Sequence, residues 1–296
     1  VLEAVKKFRK NNRPILYELD DDLFSVPASN PAHAYYSPQR RKVAAEIIGL
    51  CDGCIVTTKG LKQLLSQWND NIYIIPNYLD KELWDSLPPR EKGDELVVGW
   101  AGTATHIDDF KLCEETLLQF KGRVRFAFLG WLPPKFANIA TFTPFANYNQ
   151  YVASLSCLDV AVAPIVDNRF NQSKSWIKLL EYGGRGISCV ASRAGSYVDA
   201  YELGAGVLLA KSPKEWLKGL KSLIDNDDAR MQLSAKGQKW AANNWIQDHA
   251  QEWIKVFDEV MERGSYLSAQ EQFGRVPKPK LIQSEKQLLS WKLTRK

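Results

Sequence analysis

The feature that most constrains this chain is a series of short apolar runs that do not alternate with polar residues. "ELVVGWAG", "RVRFAFLG", "LDVAVAPI", "ISCVAS" and "GAGVLLA" follow one another between residues 95 and 210, and "RPILYEL", "CIVTT" and "IYIIP" precede them. A strand that is apolar at every position is buried on both faces, as in parallel sheets. Between the runs lie helical patterns, through "RRKVAAEIIGL", "LKQLLSQW", Asp108–Phe120, Asn149–Ser156, Ser175–Tyr182 and Ser212–Ile224. Strand–helix alternation of this kind predicts an α/β protein with parallel, doubly wound sheets.

The segment "PNYLDKELWDSLPPREKGDE" is rich in Pro and charge and reads as a linker. It divides 296 residues, a length suited to two domains, into unequal parts. The predicted organisation is a partial first lobe over 1–76 with three strands and a second lobe over 77–245 with five. A helix over 246–263 follows, then a basic tail or linker over 264–296. In that helix Trp245, His249, Trp253, Val256, Phe257 and Val260 recur at helical spacing, so His249 reads as a packed residue.

The net charge of +5 resides in the tail, where seven Lys and Arg face Glu271 and Glu285. A near-neutral body argues against a nucleic-acid partner. The tail offers either a soluble linker or a contact for anionic lipid or a partner. Five scattered cysteines fit a reducing compartment, and Cys51 and Cys54 read as the lead-in to a buried strand in preference to a zinc pair. No apolar run reaches membrane-spanning length. The start shows no secretory signal pattern and no Met, so the chain is expected to be processed or cut from something longer.

Three motifs carry chemistry. In "NQSKSWIKLLEYGGRGISCVAS", Ser173 or Ser175 caps a helix whose first-turn amides form an anion site. Lys174 and Lys178 add positive charge there. Glu181 lies roughly 10 Å further along, placed to accept hydrogen bonds from hydroxyls, and the glycines turn the chain into the next strand. Phosphate at the start and ribose further back fit a nucleotide; a plain amphipathic helix with solvated lysines is the alternative. In "VVGWAGTATHIDDF", a strand runs through Gly102 and Thr103 into a helix capped near Thr105, with His106 at its mouth. Backbone amides meet phosphate in such turns. In "YELDDDLF", Asp20, Asp21 and Asp22 end a strand. They read either as a general base, hydroxyl or metal ligands, or as a strand-to-loop cap. Trp131, Phe142 and Phe145 either flank a base or pack in the core.

Together these motifs resemble the nucleotide-sugar glycosyltransferases of GT-B architecture, close to the large retaining family of bacterial mannosyl- and glucosyltransferases (glycosyltransferase group 1 type). "CDGCIVTTKGLKQLL" is similar to the end of their first lobe, "IYIIPNYLD" to the crossover, and "VGWAGTATHIDDF" to the opening of the donor lobe. "NQSKSWIKLLEYGGRGISCVAS" resembles the motif that places two glutamates eight residues apart. The likeness covers about residues 13–262. It implies two Rossmann-type lobes, the N-terminal one short or truncated, and Glu181 on the nucleotide ribose. The first glutamate falls at Ser173, and the usual basic pair is absent, with Lys174 and Lys178 in its stead.

The implied activity is transfer of a sugar from a nucleoside diphosphate sugar to a glycan, lipid-linked or protein acceptor, with retention, in glycan or surface polysaccharide synthesis. Asp20, Asp21, Asp22 and His106 would be catalytic. Gly102, Thr103, Ser173, Lys174, Lys178 and Glu181 would bind the donor. No cofactor is obligatory; a divalent metal is allowed but not expected, because helix amides and Lys174 stabilise the leaving group. The triple Asp is not read as the metal motif of the other glycosyltransferase fold. The expected location is the cytoplasm, with the tail available to the inner face of the membrane. The alternatives are an epimerase or hydrolase on the same scaffold, or a non-catalytic nucleotide-binding module of a larger assembly.

Overall fold

The computed structural model describes residues 1–90 and 93–266. Nine strands form two separate sheets: β1 (Leu16–Leu19), β2 (Gly53–Val56) and β3 (Ile72–Ile74) in one; β4 (Val97–Ala101), β5 (Arg125–Leu129), β6 (Ala140–Thr143), β7 (Val160–Ala163), β8 (Ser188–Ser192) and β9 (Val207–Ala210) in the other. Every pairing is parallel. The helices are α1 (Leu2–Lys10), α2 (Pro38–Leu50), α3 (Lys59–Leu65), α4 (Lys81–Asp85), α5 (Ile107–Phe110), α6 (Glu114–Leu118), α7 (Tyr148–Ser154), α8 (Arg169–Gln172), α9 (Ile177–Gly184), α10 (Ser196–Glu202), α11 (Pro213–Asp225), α12 (Asp227–Ala241) and α13 (Ile246–Tyr266).

The larger sheet is ordered β6-β5-β4-β7-β8-β9. Counted from β4, this is the 3-2-1-4-5-6 order of the doubly wound nucleotide-binding fold. The order reverses between β4 and β7, and the crevice beyond their carboxyl ends is where such sheets bind ligands. Both faces of the sheet are covered. Trp100, Phe110, Phe128, Phe136 and Trp216 fill one side, and Leu155, Leu180, Tyr182 and Trp240 fill the other. Each such side chain contributes about 1.5–3 kcal/mol on burial.

Helix starts follow from local chemistry. Ser37 caps α2 ahead of Pro38, Thr58 caps α3, and Ser212 and Glu215 form a reciprocal capping box on α11. The glycines after Glu181 do not stop the helix at once: Gly183 and Gly184 lie within α9. A Cβ on Gly183 would sit 2.8 Å from the Gly237 carbonyl oxygen, so the glycine lets α9 and α12 touch backbone to backbone. The turn itself is made by Gly186, at φ +64°.

Two crossings join the sheets, and they run side by side. Leu79 in the linker exchanges backbone hydrogen bonds with Asn244 and Ile246 on the returning chain, at 3.0 and 2.8 Å. Helix α13 then packs Val256 and Val260 against Ile55 and Ile75 of the first sheet's region. Phe257, expected on that packed stripe, is exposed. His249 stacks on Tyr78, with ring centroids 4.0 Å apart, and bonds Glu252, as a packing residue does. Helix α13 continues to Tyr266, three residues beyond the expected end; the remainder of the basic tail lies outside the described residues.

A strand and a helix of the second lobe differ from expectation, and the expected linker carries the short helix α4. The second sheet has six strands, since β6 was not legible: its residues Thr141, Phe142 and Thr143 are exposed on an edge, so no burial pattern marks it. The helix expected over 108–120 is two short pieces, α5 and α6, that keep Phe110, Cys113 and Leu117 on one buried face. Of the five cysteines, all free, Cys51 and Cys54 are buried and their thiols are pushed up to about 12 by desolvation.

Candidate functional site at the sheet switch point

The turn after β4 and the long loop after β7 meet where the strand order reverses. Gly102 follows β4 and accepts no side chain: a Cβ there would lie 2.2 Å from the Trp100 indole. Its place is therefore set by packing. Thr103 is exposed and shares a hydrogen bond with Thr105, 2.7 Å between hydroxyl oxygens; neither side chain caps the following turn. His106 comes next, its Nδ1 2.8 Å from Asp109 Oδ2. Burial holds the imidazole below its usual pKa, and the nearby Lys174 and Lys178 charges push the same way, against Asp109.

Asp109 is buried, and sequence reading missed it. Its Oδ1 accepts from the Val166 backbone NH and from Asn171 Nδ2, both at 2.7 Å, while Oδ2 faces His106. One carboxylate thus ties the β4 turn to the β7 loop. The only sequence sign was an acid doublet just after the glycine turn.

Helix α9 begins at Ile177, two residues later than expected, with Trp176 in the capping position and no side-chain cap. Of the two serines expected to cap it, Ser175 accepts from the Ile177 amide at a long 3.5 Å, and Ser173 does not cap it. Ser173 instead ends α8, is buried, and its carbonyl accepts from the Thr58 hydroxyl of the first lobe at 2.9 Å. Ser175 Oγ receives the Asn77 amide at 3.0 Å. Apart from the long contact of the Ile177 amide to Ser175 Oγ, at 3.5 Å, the first-turn amides of α9 have no side-chain acceptor among the described residues.

Lys174 lies just before α9, its ammonium 3.5 Å from Asp21 and over the Phe170 ring. Lys178 is not solvated: its Nζ donates to the Ala101 carbonyl at 2.5 Å, at the end of β4, and burial lowers its pKa. Glu181 is 6% exposed and its Oε2 accepts the Tyr151 hydroxyl at 2.8 Å. Tyr148 stands near the same carboxylate and acts on its ionisation. Burial raises the Glu181 carboxyl, opposed by Lys178 and the two tyrosines. Both tyrosines stand on α7, three residues apart and so on one face; periodicity marks them only as a helix face.

Beside Tyr151 opens a cleft of about 410 Å³ between the ends of β5 and β6 and helix α7, lined by Gly130, Thr143, Pro144, Phe145 and Gln150. Phe145 and Phe142 are exposed, whereas Trp131 packs against Trp100 and Phe110 in the core.

The three aspartates separate. Asp20 is exposed at the end of β1, and its carboxyl is raised by partial burial and by Asp21. Asp21 reaches across the lobes to Lys174. Asp22 is buried and turned back on its own loop, its Oδ1 accepting from the Phe24 and Ser25 amides at 2.8 and 3.0 Å. The capping alternative thus describes Asp22. The structure brings together Asp21, His106, Lys174, Lys178 and Glu181; it turns Ser173 and Asp22 away. Among the described residues no cluster of three or more His, Cys, Asp or Glu could hold a metal ion, and no helix is long and apolar enough to cross a membrane.

No model of a known protein family matches the sequence, and no curated protein matches it. Solved structures do. Sucrose-phosphate synthase from Thermosynechococcus elongatus superposes with a TM-score of 0.70 at 16% identity, over 88% of this chain and 72% of that one. HepE from Anabaena, in complex with UDP and glucose, gives 0.63 at 14% identity, over 90% and 76%. A glycosyltransferase from Rickettsia africae gives 0.59 at 13%, over 88% and 80%. Two parallel α/β lobes, the switch-point crevice and these superpositions establish that the chain has the fold of the GT-B glycosyltransferases, with a short first lobe.

Proposed function

We propose that this chain transfers a sugar from a nucleoside diphosphate sugar to an acceptor hydroxyl, with retention at the anomeric carbon. The observation that carries the reading is the convergence of His106, Lys174 and the start of α9 at the switch point, with the Glu181 carboxylate one to two turns behind them. A diphosphate set against the start of α9 meets the helix dipole, its first-turn amides and Lys174. The ribose then reaches back toward Glu181, and the base enters the cleft beside Phe145 and Tyr151. HepE, with its bound UDP and UDP-glucose, supports a uridine donor as the first to try.

In the reaction the bond from the anomeric carbon to the diphosphate oxygen breaks as the bond to the acceptor oxygen forms. The acceptor's proton leaves with the diphosphate. Charge on the leaving oxygen is offset by Lys174, His106 and the α9 amides, groups already gathered at the switch point. Asp21, which faces Lys174 in the free protein, must yield that lysine to the donor. Asp20 and Asp21 remain the candidates to hold the acceptor, a glycan, lipid-linked or protein hydroxyl, and synthesis of a glycan is the pathway this fits. Gly102 and Thr103 line the approach by backbone, and Ser173 supports from behind.

The test is a panel of nucleoside diphosphate sugars read by thermal shift and then by product. A shift that vanishes in Lys174→Ala and Glu181→Ala supports the site; one that survives both removes it. Free sugar or an epimer in place of a glycoside assigns the scaffold to a hydrolase or epimerase.

A further inference from the structure

We propose that Asp109 is a positioning residue: it holds His106 through Nδ1–H and so commits Nε2, as a hydrogen-bond donor once protonated, to the charged group of the bound donor. This rests on the donor reading above and goes beyond it, since that reading gave Asp109 no part. The geometry is specific. His106 makes its hydrogen bond through Nδ1 to Asp109 Oδ2, 2.8 Å away, and Nε2 has no protein partner among the described residues. Asp109 has no freedom to turn, because Oδ1 is held by the Val166 amide and by Asn171 Nδ2. A carboxylate only accepts, so Nδ1 must carry the proton and Nε2 is the atom left to titrate.

The charges around the ring say when it titrates. Asp109 and Asp108 stand on its own element; Lys178 faces it from α9, with Glu181 behind; Lys174 faces it from the loop before α9, with Asp21 of the first lobe beyond. With the site empty, burial and the two lysines keep the imidazole neutral. A diphosphate set between those lysines reverses the local sign and favours the imidazolium. Donor binding then takes up a proton at His106 Nε2, and that proton points at the leaving group.

Asp109→Asn isolates the effect. Two donors already face the Oδ1 position, so the asparagine must place its carbonyl oxygen there and its NH2 toward His106. The ring must then accept through Nδ1 and carry its proton on Nε2, the opposite tautomer. The same substitution logic applies to the triad aspartate of serine proteases.

The experiment is imidazole 15N NMR on the full chain. With three histidines, His33, His106 and His249, the variant His106→Asn assigns the signal. The expected result is an Nδ1–H tautomer in the free protein, protonation of His106 near neutral pH on adding UDP, GDP or ADP, and the Nε2–H tautomer in Asp109→Asn. Turnover in that variant is expected to fall about 100-fold and to lose the His106 limb of its pH profile. An Nε2–H tautomer in the free wild-type protein overturns the proposal, and does so even when Asp109→Asn fails to fold. An unchanged tautomer and pH profile in a folded Asp109→Asn overturns it as well. Nucleotide binding that leaves His106 neutral overturns it while the donor reading stands; binding by none of the three overturns both.

Discussion

Removing the Tyr148 hydroxyl should tighten nucleotide binding, and the reason lies in competition for one carboxylate. In the free protein Glu181 accepts from the Tyr151 hydroxyl, and the Tyr148 hydroxyl interacts with the same carboxylate. A ribose that binds there must take over part of that bonding. Tyr151 is the less exposed of the two and stays. Tyr148 is 43% exposed and is free to swing out, so it is the group displaced. A hydrogen bond to a charged group is worth about 1.5–3 kcal/mol when buried. Its exposure reduces this to about 1 kcal/mol, which the ribose must offset on binding. In Tyr148→Phe that cost disappears, and the dissociation constant for UDP should fall about fivefold. Tyr151→Phe behaves differently, because it leaves buried Glu181 Oε2 without a donor. It should lower stability by about 1–3 kcal/mol and lower the melting temperature by several degrees. Isothermal calorimetry with UDP, alongside thermal melts, reads both. Weaker nucleotide binding in Tyr148→Phe, with the fold intact, would show that Tyr148 holds the donor and that the displacement argument is false.

Three further outcomes are expected. Gly183→Ala forces a Cβ to within 2.8 Å of the Gly237 carbonyl and should cost about 1–3 kcal/mol, read as a lower melting temperature; an unchanged melt would mean that α9 and α12 separate without penalty. His106 has a folded-state pKa below its ordinary 6.5, so the unfolded chain binds more protons between those two values and stability should fall as pH drops through that window. His106→Asn should flatten this dependence in urea titrations at several pH values, and a slope that persists would place its origin elsewhere. Asp22→Ala should cost about 0.5–2 kcal/mol through lost amide bonds, as for a cap, whereas Asp21→Asn should leave stability alone and strengthen UDP binding by freeing Lys174. Equal melts for the two variants would contradict their different environments.

What the sequence determined by itself was the sheet and its ends. Strands apolar at every position, "VVGWA" and "SCVAS" among them, admit only two-sided burial, and that fixes a parallel sheet, the kind whose carboxyl edge is the place to look for a site. Lys174, Lys178, Glu181 and His106 were legible as a group because each sits a short step from such an edge. Strand β6 was not, because an edge strand is held by backbone hydrogen bonds that leave no hydrophobic signature. Side-chain direction was also beyond the sequence. Three adjacent aspartates look alike in a string, yet packing sends Asp21 across the cleft and Asp22 into its own turn. Asp109 and Tyr151 matter through partners 57 and 30 residues away. Periodicity reports only which face of an element is apolar; the partner of a buried polar group is chosen by the tertiary fold, which must satisfy every donor and acceptor it takes from water.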